Sequence, residues 1–195
     1  MRKATAIASR WLHVYLSMVS FAVVLFFAAT GLTLNHPQWF ADQQRTLDSH
    51  GTLTAALLQP SHGDGADRLG IVEYLRAHDH VTGAATDFRV DDSQISVSFR
   101  APGYTADAFI DRTTGRYDLT VVRSGFVAVL NDLHKGRDAG TVWGWLIDAS
   151  AILLILVSLT GLILVWFVYK RRTSGLLLAL FGAAFVLLLY KIFVP

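Results

Sequence analysis

The chain has 195 residues, of which 53% are hydrophobic and only 16% are charged, and its formal net charge is +2. An average soluble domain has about 25% charged residues, so this composition points away from that class. The near balance of 17 basic and 15 acidic residues provides no broad cationic surface, which argues against nucleic-acid binding. The absence of cysteine excludes disulfides, thiolate metal sites and a thiol nucleophile.

The first predicted element is a membrane span at residues 14–35, which follows a basic segment at residues 1–13. No charged residue occurs between Trp11 and Ala41, and a helix needs about 20 apolar residues to cross the hydrocarbon core of a bilayer. The apolar run is longer than the roughly 7 to 15 residues of a signal-peptide core, and no clear cleavage site ends it. We therefore predict a retained anchor rather than a cleaved signal peptide.

Residues 36–144 follow the first span and are long enough for a small folded domain. Residues 37–68 have little periodicity, which predicts a loose connection. Next, Leu69, Val72 and Leu75 predict one amphipathic helix that ends near residues 78–82.

The residues after this predicted helix have the sequence pattern of β-strands. Three apolar runs, ATDFRV, QISVSFRA and DAFIDR, are separated by turn signals, and YDLTVV is a fourth candidate. Together they predict a helix packed on a small antiparallel sheet, in a module at residues 69–122. A short amphipathic helix is then predicted at residues 125–134, lying at the membrane interface.

Two further charge-free runs predict a second span at residues 145–169 and a third at residues 174–194. The turn between them, at residues 170–173, contains Lys170, Arg171 and Arg172. Basic residues near membrane spans favour the cytoplasmic side. The N-terminus and this turn are therefore expected in the cytoplasm, with the main loop and the C-terminus outside.

Short motifs mark the first two spans and the predicted sheet. They are Arg10-Trp11-Leu12-His13, Thr30-Gly31-Leu32, DAFIDRTTGRY, Asp132-Leu133-His134-Lys135-Gly136, Trp145 and Leu159-Thr160-Gly161-Leu162. In order and spacing, these motifs resemble the PepSY-associated transmembrane family over nearly the whole chain. The resemblance implies a membrane α-helical fold, with three transmembrane helices and an extracytoplasmic α+β domain, in which a PepSY-like helix packs on an antiparallel sheet.

The resemblance also implies a function and a location. Characterised relatives include haem-containing reductases of the bacterial inner membrane, which act on ferric iron or ferric siderophores at the periplasmic face. By that resemblance, the expected cofactor is haem b, with one or two haems per protomer or shared in a homodimer. The expected acceptor is ferric iron or a ferric siderophore. The sequence has no GxGxxG motif after a strand and no phosphate loop, so electrons are expected from a separate donor, such as membrane quinol or a reduced flavin.

The histidines are the candidate haem ligands, because a neutral imidazole commonly binds haem iron. His36 and His134 are expected at the outer ends of the first two spans, where both can reach one haem. His13 is 23 residues from His36, which corresponds to about 34 Å along a helix, so these two cannot bind one iron. His13 would bind a second haem, with its other ligand from another protomer or elsewhere. The alternative is that His36 is a helix-end residue, His134 lies in an interfacial turn and His13 is an interfacial polar residue beside Trp11.

Two other functions remain open at the level of sequence. One is a non-catalytic membrane module in which the PepSY-like domain regulates a peptidase or a transporter. The other is a dimeric scaffold that helps a larger electron-transfer complex. His78 and His80 flank Asp79 and suggest either a surface metal site or a solvated helix end.

Overall fold

The computed structural model describes residues 2–58 and 65–195, which form two compact units. The helical unit contains the chain up to Phe26 together with Leu146–Pro195, and the sheet unit contains Phe27–Trp145. The helices are, in chain order, α1 (Arg2–Asn35), α2 (Ala55–Leu58), α3 (Arg68–Asp79), α4 (Phe126–Lys135), α5 (Gly140–Phe167) and α6 (Arg172–Phe193). The strands are β1 (Arg45–Thr52), β2 (Ala84–Val90), β3 (Gln94–Ala101), β4 (Tyr104–Asp111) and β5 (Arg116–Arg123). Short 3₁₀ segments occupy Pro37–Gln43 and Tyr169–Arg171.

Three helices, α1, α5 and α6, are long and apolar enough to cross a membrane, which confirms the three predicted spans. The shortest, α6, has 22 residues, or about 33 Å at the rise of an α-helix, and the hydrocarbon core is about 30 Å thick. α1 begins at Arg2 rather than near residue 14. The helix extends beyond the apolar run because arginine, lysine and alanine are themselves good helix formers.

The buried residues of α1 and α5 within the helical unit are small and polar. They are Ser9 and Ser20 of α1 and Ser150 and Thr160 of α5. The hydroxyls of Ser20 and Ser150 donate to backbone carbonyls about one turn earlier, at 2.9 and 2.7 Å. These bonds satisfy the hydroxyls in an apolar environment, and the small side chains let neighbouring helices approach closely.

α6 contacts α5 close to the turn that joins the two helices. The guanidinium carbon of Arg172 lies 4.0 Å from the centre of the Trp166 ring, a cation–π contact. Gly175 faces Val165, and a Cβ at this glycine would lie only 2.8 Å from a Val165 methyl group. None of the α6 residues is buried, so the apolar surface of this helix is available to lipid.

The five strands of the sheet unit form one antiparallel sheet in the order β1-β5-β4-β3-β2. Alternate residues of β3, β4 and β5 pack against α3, as the period of two requires. The buried residues that α3 and the strands contribute to this core are Ile71, Val72 and Leu75 of α3 and Ile95, Val97, Phe99, Ala106, Ala108, Ile110, Tyr117, Leu119 and Val121 of the strands, and Leu53, Leu58 and Val81 complete it. This confirms the predicted helix on an antiparallel sheet.

The core face of α3 differs from the predicted one by one residue. Asp67 caps the helix, and its carboxylate accepts a hydrogen bond from the backbone N–H of Gly70 at 2.9 Å. Ile71 is fully buried, whereas Leu69, which the pattern placed on the core face, is 72% exposed. Both residues fit a helical spacing with the other core positions of α3, so packing on the sheet decides between them.

Strand β1 lies in the segment that was predicted to be a loose connection, and that prediction is wrong. β1 pairs with β5 from Arg45↔Arg123 to Thr52↔Arg116 and forms an edge of the sheet. Its sequence, RTLDSHGT, contains one large apolar residue, Leu47, which is 57% exposed. Backbone hydrogen bonds to β5, rather than buried side chains, define this strand. The sheet therefore begins at residue 45 and not within the predicted module at 69–122.

The ring of Tyr117 joins β1 to β5 and α3. It covers Gly51, its partner across the ladder, and a Cβ at that glycine would collide with the ring. The Tyr117 hydroxyl donates to one carboxylate oxygen of Asp79 at 2.7 Å, and the Ser49 hydroxyl donates to the other at 2.5 Å. Burial and the neighbouring Asp79 carboxylate raise the pKa of Tyr117 above its usual range.

Candidate functional site

His13 lies in α1, and its ring contacts α5 within the helical unit. Its Nδ1 atom is 3.1 Å from the carbonyl oxygen of Val157 and 3.1 Å from the hydroxyl oxygen of Thr160. A carbonyl oxygen can only accept a hydrogen bond, so the contact with Val157 is a hydrogen bond when Nδ1 is protonated. In the neutral ring, Nε2 then carries the lone pair that can bind a metal.

Thr160 and Gly161 form the surface on which the His13 ring rests. The Thr160 hydroxyl lies 2.8 and 2.9 Å from backbone carbonyls of the preceding turn, so its proton points to the backbone and its oxygen can accept from Nδ1. A Cβ at Gly161 would lie 3.1 Å from Cε1 of His13. Glycine at this position is therefore what allows the ring to lie so close to the α5 backbone.

His134 lies in the last turn of α4, and its ring contacts the end of α1 that belongs to the sheet unit. Its Nδ1 atom is 2.6 Å from the hydroxyl oxygen of Thr30. The ring meets Phe27 edge to face, with 4.9 Å between ring centres. Gly31 also faces this ring, and a Cβ there would lie 3.7 Å from Cε1 of His134, an ordinary van der Waals distance.

Neighbouring side chains fix α4 in the sheet unit. The Asp132 carboxylate accepts a hydrogen bond from the backbone N–H of Gly103, in the β3–β4 turn, at 2.9 Å. The side-chain oxygen of Asn131 accepts from the Thr33 hydroxyl at 2.6 Å. Through these two contacts, the helix that carries His134 is attached to both the sheet and α1.

His36 follows the last residue of α1. Its backbone N–H donates to the Thr33 carbonyl at 3.2 Å. Its ring stacks on Trp39, with 4.2 Å between ring centres and an interplanar angle of 7°. The rings of His36 and His134 therefore have different neighbours, and their shared binding of one iron stays a prediction.

The three histidines do not belong to a larger cluster of metal ligands. Within residues 2–58 and 65–195, no group of three or more histidine and acidic side chains could hold a metal ion. The described part of the chain thus offers single imidazoles. For His13 and His134, one ring nitrogen is engaged by the protein.

The side chains of His78 and Asp79 make contacts within the sheet unit. The Asp79 carboxylate accepts from Ser49 and Tyr117, and the His78 ring stacks on Tyr74 with 4.1 Å between ring centres. His80 ends α3 in the left-handed conformation, with φ of 55°. These contacts explain the polar residues at this helix end as structural.

Sequence reasoning identified the histidines but did not assign a role to Thr30 and Thr160. Both threonines were part of the motifs that carried the family resemblance, and both contact a histidine Nδ1 atom. The sequence signal for these two threonines is the pair threonine–glycine, which occurs once in α1 and once in α5. That signal alone does not say which residue the hydroxyl meets.

Comparison with known proteins agrees with the fold. No curated protein and no solved structure matches the chain. A family model described as PepSY_TM-like matches residues 7–195, which is nearly the entire chain and includes all three membrane helices and the sheet. The chain therefore belongs to the PepSY_TM-like family.

Proposed function

We propose that this protein is a membrane reductase that uses haem b to pass electrons outward to ferric iron or a ferric siderophore, and so supports iron acquisition. The observation that carries the proposal is the hydrogen bonding of two histidine rings. Nδ1 of His13 and Nδ1 of His134 are engaged in hydrogen bonds, which leaves Nε2 of each ring to bind iron. Histidines that bind metals commonly have this second hydrogen bond.

The donor set supports haem rather than a metal held by protein side chains alone. A non-haem iron or zinc site needs three or four ligands from the protein, and the described residues offer no such group. An iron that a porphyrin already holds would need only one or two further ligands, which isolated imidazoles could supply. Haem, when bound, supplies a one-electron couple whose potential depends on those ligands.

The residues around the histidines have separate tasks in this proposal. Thr160, Val157 and Gly161 orient His13, while Thr30 and Phe27 orient His134. His36 remains the proposed second ligand beside His134, and the second ligand for His13 comes from another protomer or elsewhere.

The direction of electron flow in the proposal follows from the distribution of charge. Arg10 and the Lys170–Arg172 turn favour a cytoplasmic location for the start of α1 and the start of α6. The sheet unit then lies in the periplasm, where a ferric acceptor would be reduced. Membrane quinol or a reduced cytoplasmic flavin is the proposed electron donor.

Visible absorption spectroscopy of the detergent-purified protein tests this proposal. We expect sharp α and Soret bands after reduction with dithionite, and a loss of absorbance in His13→Ala and in His134→Ala. His36→Ala tests the predicted second ligand. His50→Ala is the matched control, because this exposed histidine pairs with Asp118 on the sheet and should keep the full spectrum. Reoxidation by a ferric chelate then tests the acceptor.

A colourless but folded protein, after expression with ample haem, would contradict the reductase proposal. The sheet unit would then be the functional part, as a module that regulates a peptidase or a transporter. Its face opposite α3 carries Phe109, which is 48% exposed.

A further inference from the structure

The same three-residue contact occurs at both histidines. In each case a histidine Nδ1 atom meets a threonine hydroxyl, and Cε1 of the ring faces the glycine that follows. His13 rests on Thr160 and Gly161, whereas His134 rests on Thr30 and Gly31. The two contacts are reciprocal. The N-terminal half of the chain supplies His13 and Thr30, and the C-terminal half supplies their partners, Thr160 and His134.

The two threonines are buried in apolar helices, at 3% exposure for Thr30 and 9% for Thr160. The Thr160 hydroxyl donates to the backbone carbonyls of Leu156 and Val157. The Thr30 hydroxyl donates in the same way to the backbone carbonyl of Phe27, at 3.4 Å. In this arrangement the hydroxyl proton points to the backbone. The oxygen lone pair is then directed at the imidazole, where it can accept from a protonated Nδ1.

We propose that Thr30 and Thr160 are positioning residues for the His134 and His13 rings. Thr30 selects the Nδ1-protonated tautomer of His134, whereas at His13 the Thr160 hydroxyl shares this role with the Val157 carbonyl. Each ring then presents an unprotonated Nε2 in a defined orientation. The identity of the metal centre that Nε2 binds rests on the proposed function. The tautomer itself is a property of the protein without haem, so the two ideas can be tested separately.

The two sites should respond differently when the threonine hydroxyl is removed. His13 Nδ1 has a second acceptor, the carbonyl oxygen of Val157 at 3.1 Å. For His134 Nδ1, the partner at hydrogen-bond distance is the Thr30 hydroxyl, 2.6 Å away. Valine has nearly the shape of threonine without the hydroxyl, so Thr→Val removes the hydrogen bond with little change in packing. The tautomer preference should therefore be lost in Thr30→Val and retained in Thr160→Val.

Nitrogen-15 NMR of histidine rings in the full-length protein tests this inference. The protein is labelled with ¹⁵N-histidine and purified in detergent without haem, because the ¹⁵N shifts separate protonated from unprotonated ring nitrogens. His13→Gln and His134→Gln assign the signals. We expect a protonated Nδ1 at both histidines in the unmodified protein, mixed tautomers of His134 in Thr30→Val, and recovery in Thr30→Ser. Unchanged amide signals of the sheet core show that each variant is folded.

A protonated Nε2 at His13 or His134 in the unmodified protein overturns the inference, whether or not the protein binds haem. An unchanged His134 tautomer in Thr30→Val overturns the role of Thr30. If both rings are protonated at Nδ1 but added haem b is not bound, the proposed function fails while the tautomer inference stands.

The haem-loaded protein provides a second measurement. A hydrogen bond from Nδ1 makes the imidazole a stronger electron donor to iron and favours the ferric state. Thr30→Val should therefore shift a reduction potential upward, and Thr30→Ser should return it toward the original value. A potential that does not move in Thr30→Val contradicts the positioning role.

Discussion

At the scale of single residues, the two glycines that face the histidine rings leave different amounts of room. A Cβ at Gly161 would lie 3.1 Å from Cε1 of His13, whereas a Cβ at Gly31 would lie 3.7 Å from Cε1 of His134. The first distance is too short for a relaxed contact, and the second is an ordinary one. The ring of His13 is therefore the more sensitive of the two to a methyl group on its neighbour.

We expect Gly161→Ala to displace the His13 ring by a few tenths of an ångström and weaken its bonds to Val157 and Thr160. Gly31→Ala should leave His134 in place. Alanine also improves helix propensity by about 1 kcal/mol over glycine, but this gain is common to both variants. The ¹⁵N ring shifts of the two histidines measure the effect. Equal shifts of His13 in Gly161→Ala and of His134 in Gly31→Ala would refute the distinction.

Residue-scale reasoning from sequence reached the three histidines, and their binding of haem iron stays a prediction. In the structure, His13 makes two hydrogen bonds through Nδ1. These bonds could not be predicted, since they depend on which face of α5 meets α1.

At the scale of elements, α4 connects His134 to the sheet. The carboxylate of Asp132 accepts from the backbone N–H of Gly103, and Gly103 has φ of 69° and packs against Val129. A left-handed conformation at this turn favours glycine. The N–H of Gly103 can therefore point at α4 only while the β3–β4 turn keeps this shape.

We expect Asp132→Ala to release the turn from α4. The loss of one hydrogen bond to a charged group costs about 1.5 to 3 kcal/mol, so hydrogen exchange at the Gly103 amide should accelerate by roughly 10-fold or more if local opening controls it. Asp132→Asn keeps an acceptor oxygen and should have a smaller effect. Amide exchange measured residue by residue tests this, and an unchanged Gly103 rate in Asp132→Ala would show that α4 does not hold the turn.

The strands show why element prediction succeeded in part. β2, β3, β4 and β5 correspond to the four apolar runs, and β3 and β4 bury alternate side chains. β1 lacks that alternation and is held by its ladder with β5 and by the contact between Gly51 and Tyr117. Such pairing joins residues far apart in sequence, so it left no local pattern to interpret.

At the scale of the whole molecule, the orientation in the membrane can be tested because the chain has no cysteine. A single cysteine can be introduced at Thr113, an exposed residue of the β4–β5 turn, or at Thr173, an exposed residue near the start of α6. A membrane-impermeant maleimide should label Thr113→Cys in cells whose outer membrane is permeabilised. Thr173→Cys should react only after the inner membrane is opened.

The physical reason for this expectation is the positive charge of the short turn between α5 and α6, which favours the cytoplasmic side. The cysteine-free parent is the control for background labelling. The reverse labelling pattern would place the sheet unit in the cytoplasm and reverse the proposed direction of electron transfer.

The sequence by itself determined the three membrane helices, the helix on an antiparallel sheet and the family of the protein. These features depend on local hydrophobicity, local periodicity and the order of short motifs. Only the tertiary structure decided that β1 joins the sheet and that Thr30 and Thr160 receive the histidine rings. The partners of those contacts are 104 and 147 residues apart, and local patterns do not specify which residues meet when distant elements pack.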